Sequence, residues 1–434
     1  QTLSAEDGLL ELYVYDDKGN LTATVTDPDY VSGTQTTGYR IREDVEAEDG
    51  TVTQGSIVTR SSYDSDGNAV GRTDALGNTT SYAYDKNGNM VSVTLPTGTK
   101  YEYQYDVAEG NHTTADVVLE PRQIRTDGEL QDAVSKSVVV KDATDKTIRI
   151  EDLGTSEDDS SSICTTYEYD VRDNLIKASE KEGNYKTYSY DVRDRVTAID
   201  YYQPQEGAVV KTLRTEFAYD EADNLISMTD KKVSGDAETI YRYTAYEYDG
   251  FNRLIGVSEC DTDQIPGAET IAANKVSYTY NSKDKLTAID YPDCALGVKG
   301  LRFAYNIHGW LTGIKAVSKS GSEKDLRDYT YTDDGKVGEI TDYTDFLSGT
   351  SKWMKRTYSY DKLNRTTGIE YTDNMSGSTD TVKEAHYYAY DKNSQIIRET
   401  TINRYGQSNG AVYKEVRQYT YNSLGQLTDS WLNK

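Results

Sequence analysis

Along most of the chain apolar and polar residues alternate with a period of two, and one polar stretch interrupts the alternation again and again. Residues 81–93, SYAYDKNGNMVSV, give its form. Two aromatic residues flank a small one, then come Asp, two variable residues, Gly, a polar residue and an apolar return. Period-two alternation marks a half-buried strand, and an interval with Asp and Gly marks a tight turn, so the stretch predicts a β-hairpin. Aligned on Tyr84, it recurs at Tyr15, Tyr63, Tyr105, Tyr169, Tyr190, Tyr219, Tyr248, Tyr280, Tyr305, Tyr331, Tyr360, Tyr390 and Tyr421, fourteen copies in all. Neighbouring copies lie 21 to 32 residues apart, except for gaps of 48 after Tyr15 and 64 after Tyr105. Self-similarity at this period is the mark of a repeat architecture.

Each position of the unit has a physical reading. Two residues before the anchor an aromatic recurs (Tyr82, Tyr167, Tyr188, Phe217, Tyr246, Phe303, Tyr358), and only Ser61 breaks the rule. Residues i and i+2 of a strand share a face, so each copy sets two rings side by side. After the anchor comes Asp in most copies (Asp85, Asp170, Asp191, Asp249, Asp361) and Asn in Asn281, Asn306 and Asn422. Such short side chains cap a turn by bonding the backbone two residues on. Thr332 departs from this rule, and Asp106 is expected to open a turn one residue longer. Four residues after the anchor stand Gly, Asp or Asn, among them Gly88, Asp173 and Asn252, with Ser394 and Glu109 as exceptions. These residue types tolerate positive φ, which a type I turn followed by a left-handed residue requires.

The unit extends over residues 1–434 as a single array. Degenerate stretches are expected at about 27–60 and 107–163, where alternation persists without the motif. Strands are expected around Gly50 and Gly55 and in ADVVLEPRQIRT, KSVVVKD and KTIRIED. The serine-rich acidic GTSEDDSSS at 154–162 reads as a loop and as the most mobile segment. No long helix is predicted, so the fold class is all-β.

Composition sharpens the picture. There are 39 Tyr against 4 Phe and 3 Trp. Tyrosine buries its ring while keeping its hydroxyl bonded, which suits a half-wet sheet better than a dry core. Six Pro are few enough for a chain of paired strands. The net charge of −26 argues against nucleic acid or an anionic membrane as partner and would favour a cationic one. No apolar run reaches 18 residues, so no membrane-spanning segment is predicted. Cys164, Cys260 and Cys294 form no metal-binding spacing, and a Cys260–Cys294 bridge is conceivable from their similar places in neighbouring repeats. The ends, QTLSAEDG and DSWLNK, read as cut or processed from something longer.

Candidate chemistry is sparse. The D-x-N-x-N core resembles a calcium loop, but an EF-hand needs Gly at position six and Glu at position twelve. Counted from Asp85, those positions are Met90 and Pro96, and other copies put Arg195, Lys285 or Lys336 where a ligand would stand. The turn reading is therefore preferred, with no metal and no cofactor. His112, His308 and His386 are the three histidines, without a partner at metal spacing, and His308 and His386 read as surface residues. No nucleophile elbow, phosphate loop or dinucleotide fingerprint occurs, so no catalytic residue is assigned and the chain reads as a non-enzyme.

The repeated Tyr-x-Tyr-Asp turns, in forms such as YSYDVRDRVTAID and YEYDGFNRLIGV, resemble the YD repeat of Rhs-family proteins over nearly the whole chain. That family includes polymorphic bacterial toxins, shell components of Tc toxins, wall-associated proteins and teneurins. The resemblance implies a long antiparallel sheet spiralling into a β-shell, complete or partial. It implies a scaffold that encloses or presents a C-terminal toxin or other cargo, secreted or at the bacterial cell surface. The partner would be the remainder of the same polypeptide or a toxin cargo. The self-cleaving core segment that follows the repeats in payload-bearing members has no counterpart in this sequence, so that activity is not carried over. The alternative is a surface adhesin or carbohydrate-binding scaffold, with Trp310, Trp353 and Tyr201 as the residues expected to contact surface glycans.

Overall fold

The computed structural model describes residues 2–6, 9–27, 29–32, 37–46, 52–110, 113–126, 129–154, 162–292, 297–344, 352–374, 382–404 and 412–433. Among them are 35 strands and one six-residue helix, Ala268–Ala273. Thirty-one of the strands belong to one antiparallel sheet in which each strand pairs with its neighbours in the chain. The architecture is all-β, as the alternation predicts.

Two compact units divide the chain. One comprises residues 1–103 and 327–434. In it the strand Leu21–Thr26 pairs directly with Ile57–Tyr63, so the first degenerate stretch leaves the ladder and the repeat resumes in register. That stretch forms two small hairpins of its own, Asp29–Ser32 with Thr37–Arg40 and Val45–Glu46 with Val52–Thr53. Of the expected strands around Gly55, Val52–Thr53 belongs to the second of these hairpins and Ile57–Tyr63 to the resumed repeat, and Gly50 lies outside the described residues. Within this unit, turns of later repeats touch the N-terminal segment. Lys362 pairs with Asp27, Arg365 donates to Gln54 at 2.9 Å, Lys392 pairs with Asp44 at 3.1 Å, and Asn393 donates to Asp74 at 2.7 Å.

The other unit is residues 104–326. Its second degenerate stretch is a long hairpin, Thr113–Thr126 with Glu129–Lys141. Ala115, Val117, Val138 and Val140 form a small buried cluster there, backed by Leu119, Ile148 and Leu153. Regular hairpins follow from Ile163–Tyr169 onward. Most of the GTSEDDSSS stretch, residues 155–161, lies outside the described residues.

One expectation fails. Tyr105 does not precede a hairpin turn: residues Lys100–Gly110 form one continuous strand. Asp106 itself takes the left-handed conformation, φ 53°, and makes a kink instead of a turn.

A single layer of sheet must make do without a deep core. Among the described residues few large apolar side chains are buried. Stability is carried instead by pairs across the strands. In the strand Thr79–Tyr84, Tyr82 and Tyr84 are half-buried while Ser81 and Ala83 are exposed. In most copies the aromatic two residues before the anchor lies opposite an apolar residue of the return strand: Tyr82 with Val93, Tyr188 with Ile199, Tyr246 with Val257, Tyr358 with Ile369. Each aromatic–aliphatic pair contributes roughly 0.2–1 kcal/mol.

Candidate functional site

The repeated turn is where side-chain chemistry concentrates. At Tyr84, the Gly88 N–H donates to the Asp85 carbonyl at 3.1 Å and the Asp85 N–H donates to the Asn89 carbonyl at 2.9 Å, which closes a type I turn with a bulge. Gly88 sits at φ +84°. The equivalent Asp173, Asp194, Asn252 and Asn364 take φ 73°, 61°, 61° and 64°. Ser394, which the residue pattern marks as an exception, adopts φ 62° and closes the same turn. Both oxygens of the Asp85 carboxylate are occupied: Oδ1 accepts from the Asn87 and Asn89 N–H groups at 2.8 and 2.9 Å, and Oδ2 from the Asn89 amide at 3.1 Å. The Asn89 N–H above all holds the Asp85 carboxyl below its ordinary range, against a desolvation that works the other way. Asp170 is lowered chiefly by the Asn174 N–H, Asp220 by the Asn224 side chain, and Asp191 and Asp249 by the guanidinium groups of Arg195 and Arg253. Thr332 fills the same role with its hydroxyl, accepting the Lys336 N–H at 3.0 Å. Calcium has no vacant oxygen to take at Asp85, and no cluster of metal-ligating side chains occurs among the described residues.

The anchor tyrosines do something the motif alone does not reveal. The main-chain ladder between successive hairpins stops short of the turn; between Leu175–Glu180 and Tyr185–Tyr190 it ends at Lys177 opposite Thr187. Two residues further, the Tyr190 hydroxyl donates to the Leu175 carbonyl at 2.7 Å. The same bond, always to the first residue of the preceding return strand, joins Tyr63 to Leu21, Tyr84 to Ala69, Tyr169 to Thr147, Tyr248 to Leu225, Tyr360 to Val337 and Tyr421 to Ile396, at 2.7–3.0 Å. Burial raises the hydroxyl pKa of Tyr190, Tyr219, Tyr248, Tyr305, Tyr360, Tyr390 and Tyr421. A phenylalanine could fill the space but would leave the carbonyl unserved.

A further position, five residues after the anchor, was not singled out by the motif. Its side chain bonds back to the capping Asp and forward to the next turn. Asn174 donates to Asp170 at 3.2 Å and to Asp194 at 2.8 Å. Arg195 holds Asp191 at 2.8 Å, the Asp220 carbonyl at 3.0 Å and Asp223 at 2.6 Å, with its guanidinium 4.7 Å from the Tyr219 ring centre. Arg253 and Arg365 repeat the arrangement. The signal was available: long polar side chains recur there, from Asn20 to Gln426.

The three residues expected to contact glycans do not converge. Tyr201 lines a cleft of about 310 Å³ with Tyr167, Tyr188, Lys186, Glu180 and Gln203. The Lys186 ammonium lies 5.4 Å from the Tyr201 ring centre. Trp310 belongs to a turn and stacks on His308 with ring centres 4.8 Å apart. Trp353 opens the strand Trp353–Tyr360, its N–H bonded to the Asn374 side chain. His386 is not a plain surface residue. It lies within Glu384–Tyr390, half-buried, with Nε2 2.9 Å from Glu384 and Nδ1 3.2 Å from Glu399. His112 and Cys294 lie outside the described residues, so the Cys260–Cys294 pairing does too, while Cys260 is a buried thiol.

Comparison with known proteins bears on this geometry. The RHS Repeat family model matches residues 63–100 and 84–115. No curated protein matches. Among solved structures, the crystal structure of TcdB2-TccC3 aligns with a TM-score of 0.37 and 14% identity, covering 98% of this chain and 26% of that one. The Photorhabdus luminescens Tc holotoxin pore aligns with a TM-score of 0.35 and 14% identity, covering 98% and 25%. A porin-like protein from Bacteroides uniformis aligns with a TM-score of 0.21 and 11% identity, covering 71% and 96%. The chain thus spans about a quarter of the length of the Tc structures it matches. Structural likeness at these TM-scores carries no argument about function. The matched segment, however, holds the Tyr63 and Tyr84 hairpins, and their capped turn and hydroxyl bond recur to Tyr421: residues 63–115 match the RHS Repeat model, and the same hairpin unit is repeated along the chain.

Proposed function

We propose that the chain is a structural scaffold, a stretch of an Rhs-type β-shell that encloses or presents a toxin or other cargo, acting outside the cell or at its surface. One observation carries this reading: the repeat uses its characteristic polar groups on its own neighbours. Tyrosine hydroxyls serve the preceding hairpin's carbonyls, and capping aspartates serve their own turns. Side chains so engaged build a wall; they are not free to take a substrate. The whole of 1–434 is read as one such array with two insertions. A chain of net charge −26 would favour a basic cargo by electrostatic attraction. The test is limited proteolysis of the native polypeptide that contains this chain. A cargo segment that resists protease while the repeats are intact, and is cut once they are unfolded, supports the reading. Equal cutting in both states refutes it.

A second reading rests on the cleft at Tyr201. Ring faces beside Glu180, Gln203 and Lys186 suit a sugar ring that stacks and offers hydroxyls. Binding on a broad glycan panel, lost in Tyr201→Ala and kept in Trp310→Ala and Trp353→Ala, would place it at the cleft. The absence of binding across the panel would remove it.

A further inference from the structure

One copy of the repeat lacks its ring. Two residues before the anchor Tyr63 stands Ser61, where every other copy has Tyr or Phe. The residue opposite is changed as well: Ser61 faces Arg72, where most copies place an apolar residue such as Val93, Ile199 or Met228. Losing an aromatic side chain together with its apolar partner opens space on the tyrosine face. The unit of residues 1–103 and 327–434 has a cavity of about 750 Å³ at this place. Ser61, Tyr63 and Arg72 line it together with Asn393, Ser423 and Leu424 of the last two turns. Its volume lies in the range of small-molecule sites.

The lining is unlike the rest of the chain. Over the whole sequence acids outnumber bases 73 to 47, but two arginines, Arg60 and Arg72, line the cavity against a single acid, Asp74. Asp74 is fully engaged: Oδ1 accepts the Leu76 and Asn78 N–H groups at 3.0 and 2.8 Å, and Oδ2 the Asn78 and Asn393 amides at 2.9 and 2.7 Å. Among the described residues neither Arg60 nor Arg72 meets a carboxylate, whereas Arg42, Arg214 and Arg356 pair with Asp27, Asp200 and Asp342. The Arg72 guanidinium instead lies 6.0 Å from the Tyr82 ring centre. Around it the strands set a strip of hydroxyls on one face. Thr59 and Ser61 stand two apart in one strand, Thr24 lies opposite Thr59, and Thr80 lies opposite Arg72. None of these four hydroxyls has a hydrogen-bond partner among the described residues.

We propose that this cavity binds a small polyhydroxylated oxyanion, a sugar acid or a sugar phosphate. Arg72 takes the oxyanion, because its planar fork can donate two parallel hydrogen bonds to a carboxylate or a phosphate. Arg60 adds a second positive charge. Thr24, Thr59, Ser61 and Thr80 exchange hydrogen bonds with the hydroxyls of the ligand; an apolar ligand would leave them unpaired. A net charge of −26 repels anions from the molecule as a whole, so binding rests on this local reversal of sign. The Tyr201 cleft belongs to the other unit, and occupancy of this cavity is independent of any cargo.

Isothermal titration calorimetry of the chain with glucuronate, glucose phosphate and glucose tests it. One or both charged sugars should bind, and which of them does so tells carboxylate from phosphate. Neutral glucose should bind at least tenfold more weakly. Acetate and inorganic phosphate, which lack the sugar hydroxyls, should fall behind the corresponding charged sugar by a similar factor. Ser61→Tyr refills the cavity and Arg72→Val removes the cation. Both restore the residue type common at their positions, so the sheet should form, and circular dichroism checks that it does. Each should weaken binding at least tenfold, while Arg72→Lys should retain part of it. Arg242→Val removes the same charge from the strand Ala237–Tyr248 of the other unit and should change nothing. Binding of neither charged sugar, equal binding of glucose, acetate or inorganic phosphate, or an affinity that Ser61→Tyr or Arg72→Val leaves unmoved overturns the proposal.

Discussion

The most discriminating perturbation removes a single oxygen. Tyr190→Phe keeps the ring and its packing but deletes the bond to the Leu175 carbonyl, which is 2.7 Å long. The ladder between those strands has already ended at Lys177, so no backbone N–H is in register to replace it. A net intramolecular hydrogen bond contributes about 0.5–1.5 kcal/mol. Tyr188 supplies the control: its ring lies opposite Ile199 on the same face, and its hydroxyl makes no bond of this kind. Tyr188→Phe should therefore be nearly neutral. Repeat arrays open locally, so the readout should be local as well. Native-state hydrogen exchange followed by mass spectrometry on peptides covering 170–199 is suited to it. Exchange there should speed up about fivefold for a loss of about 1 kcal/mol, with distant hairpins unchanged. If Tyr190→Phe and Tyr188→Phe exchange alike, the hydroxyl bond does not couple the hairpins and the account of the anchor is wrong.

Other expectations follow from the same turn. A Cβ at Gly88 would touch nothing within 4 Å, so the cost of Gly88→Val is purely that of positive φ, about 1–2 kcal/mol, whereas Gly88→Asn should be tolerated; melting curves of the pair decide. The half-buried anchor tyrosines, raised by burial above the ordinary value of 10.0, stabilise the fold below that pH and cease to do so as pH climbs through their raised values. Absorbance of tyrosinate should accordingly rise together with loss of sheet signal, and ionisation near pH 10 with the sheet intact would contradict this. At the acid end the lowered Asp85, Asp170 and Asp191 contribute above their ordinary range near 3.8 and lose that contribution as pH falls through the lowered values, so Asp191→Ala should flatten the acid limb of a stability–pH curve. Millimolar calcium should leave the melting temperature unmoved, since the oxygens of Asp85 are already bonded; a rise would reopen the calcium reading.

How much of this was legible depends on the range of the interaction. The hairpin, the capping Asp and the residue with positive φ are local, and the positions four after the anchor could be read one by one, down to Asp194 and Asn252. Thr332 and Ser394 depart from the pattern in residue type but not in role: the Thr332 hydroxyl accepts the Lys336 N–H within its own turn, and Ser394 takes the positive φ with Arg365 of the preceding turn bonded to it. Tyr105 departs from the pattern because its strand runs on through the expected turn to Gly110. The hydroxyl bond was hidden because its acceptor lies in the preceding hairpin, and register between hairpins is not a property of either. The sequence nevertheless holds a trace of it. The position two before the anchor accepts Phe217, Phe303 and Ser61, while the anchor is Tyr in every copy. A site that tolerates loss of the hydroxyl and one that does not, two residues apart on the same face, differ in a hydrogen bond and not in ring packing.

A departure from the pattern late in the array shows how such a sheet absorbs change. Opposite Tyr388, where most other copies place an apolar residue such as Val93, Ile199 or Met228, stands Glu399. A carboxylate on a half-buried aromatic face is costly unless it is paired. Here it is held from two sides: the Tyr419 hydroxyl of the next strand donates at 2.9 Å, and His386 lies 3.2 Å away with Glu384 on its other nitrogen. The compensation spans three consecutive strands and goes no further. The same containment explains how residues 27–56 can leave the sheet without disturbing the pairing of Ala23 with Arg60 across the gap. In a globular core a charge or an insertion strains every layer around it. In this ladder the strand pairing of each hairpin involves its two neighbours alone, so the array can vary its inserts and its faces while the tyrosine bond and the capped turn keep it continuous.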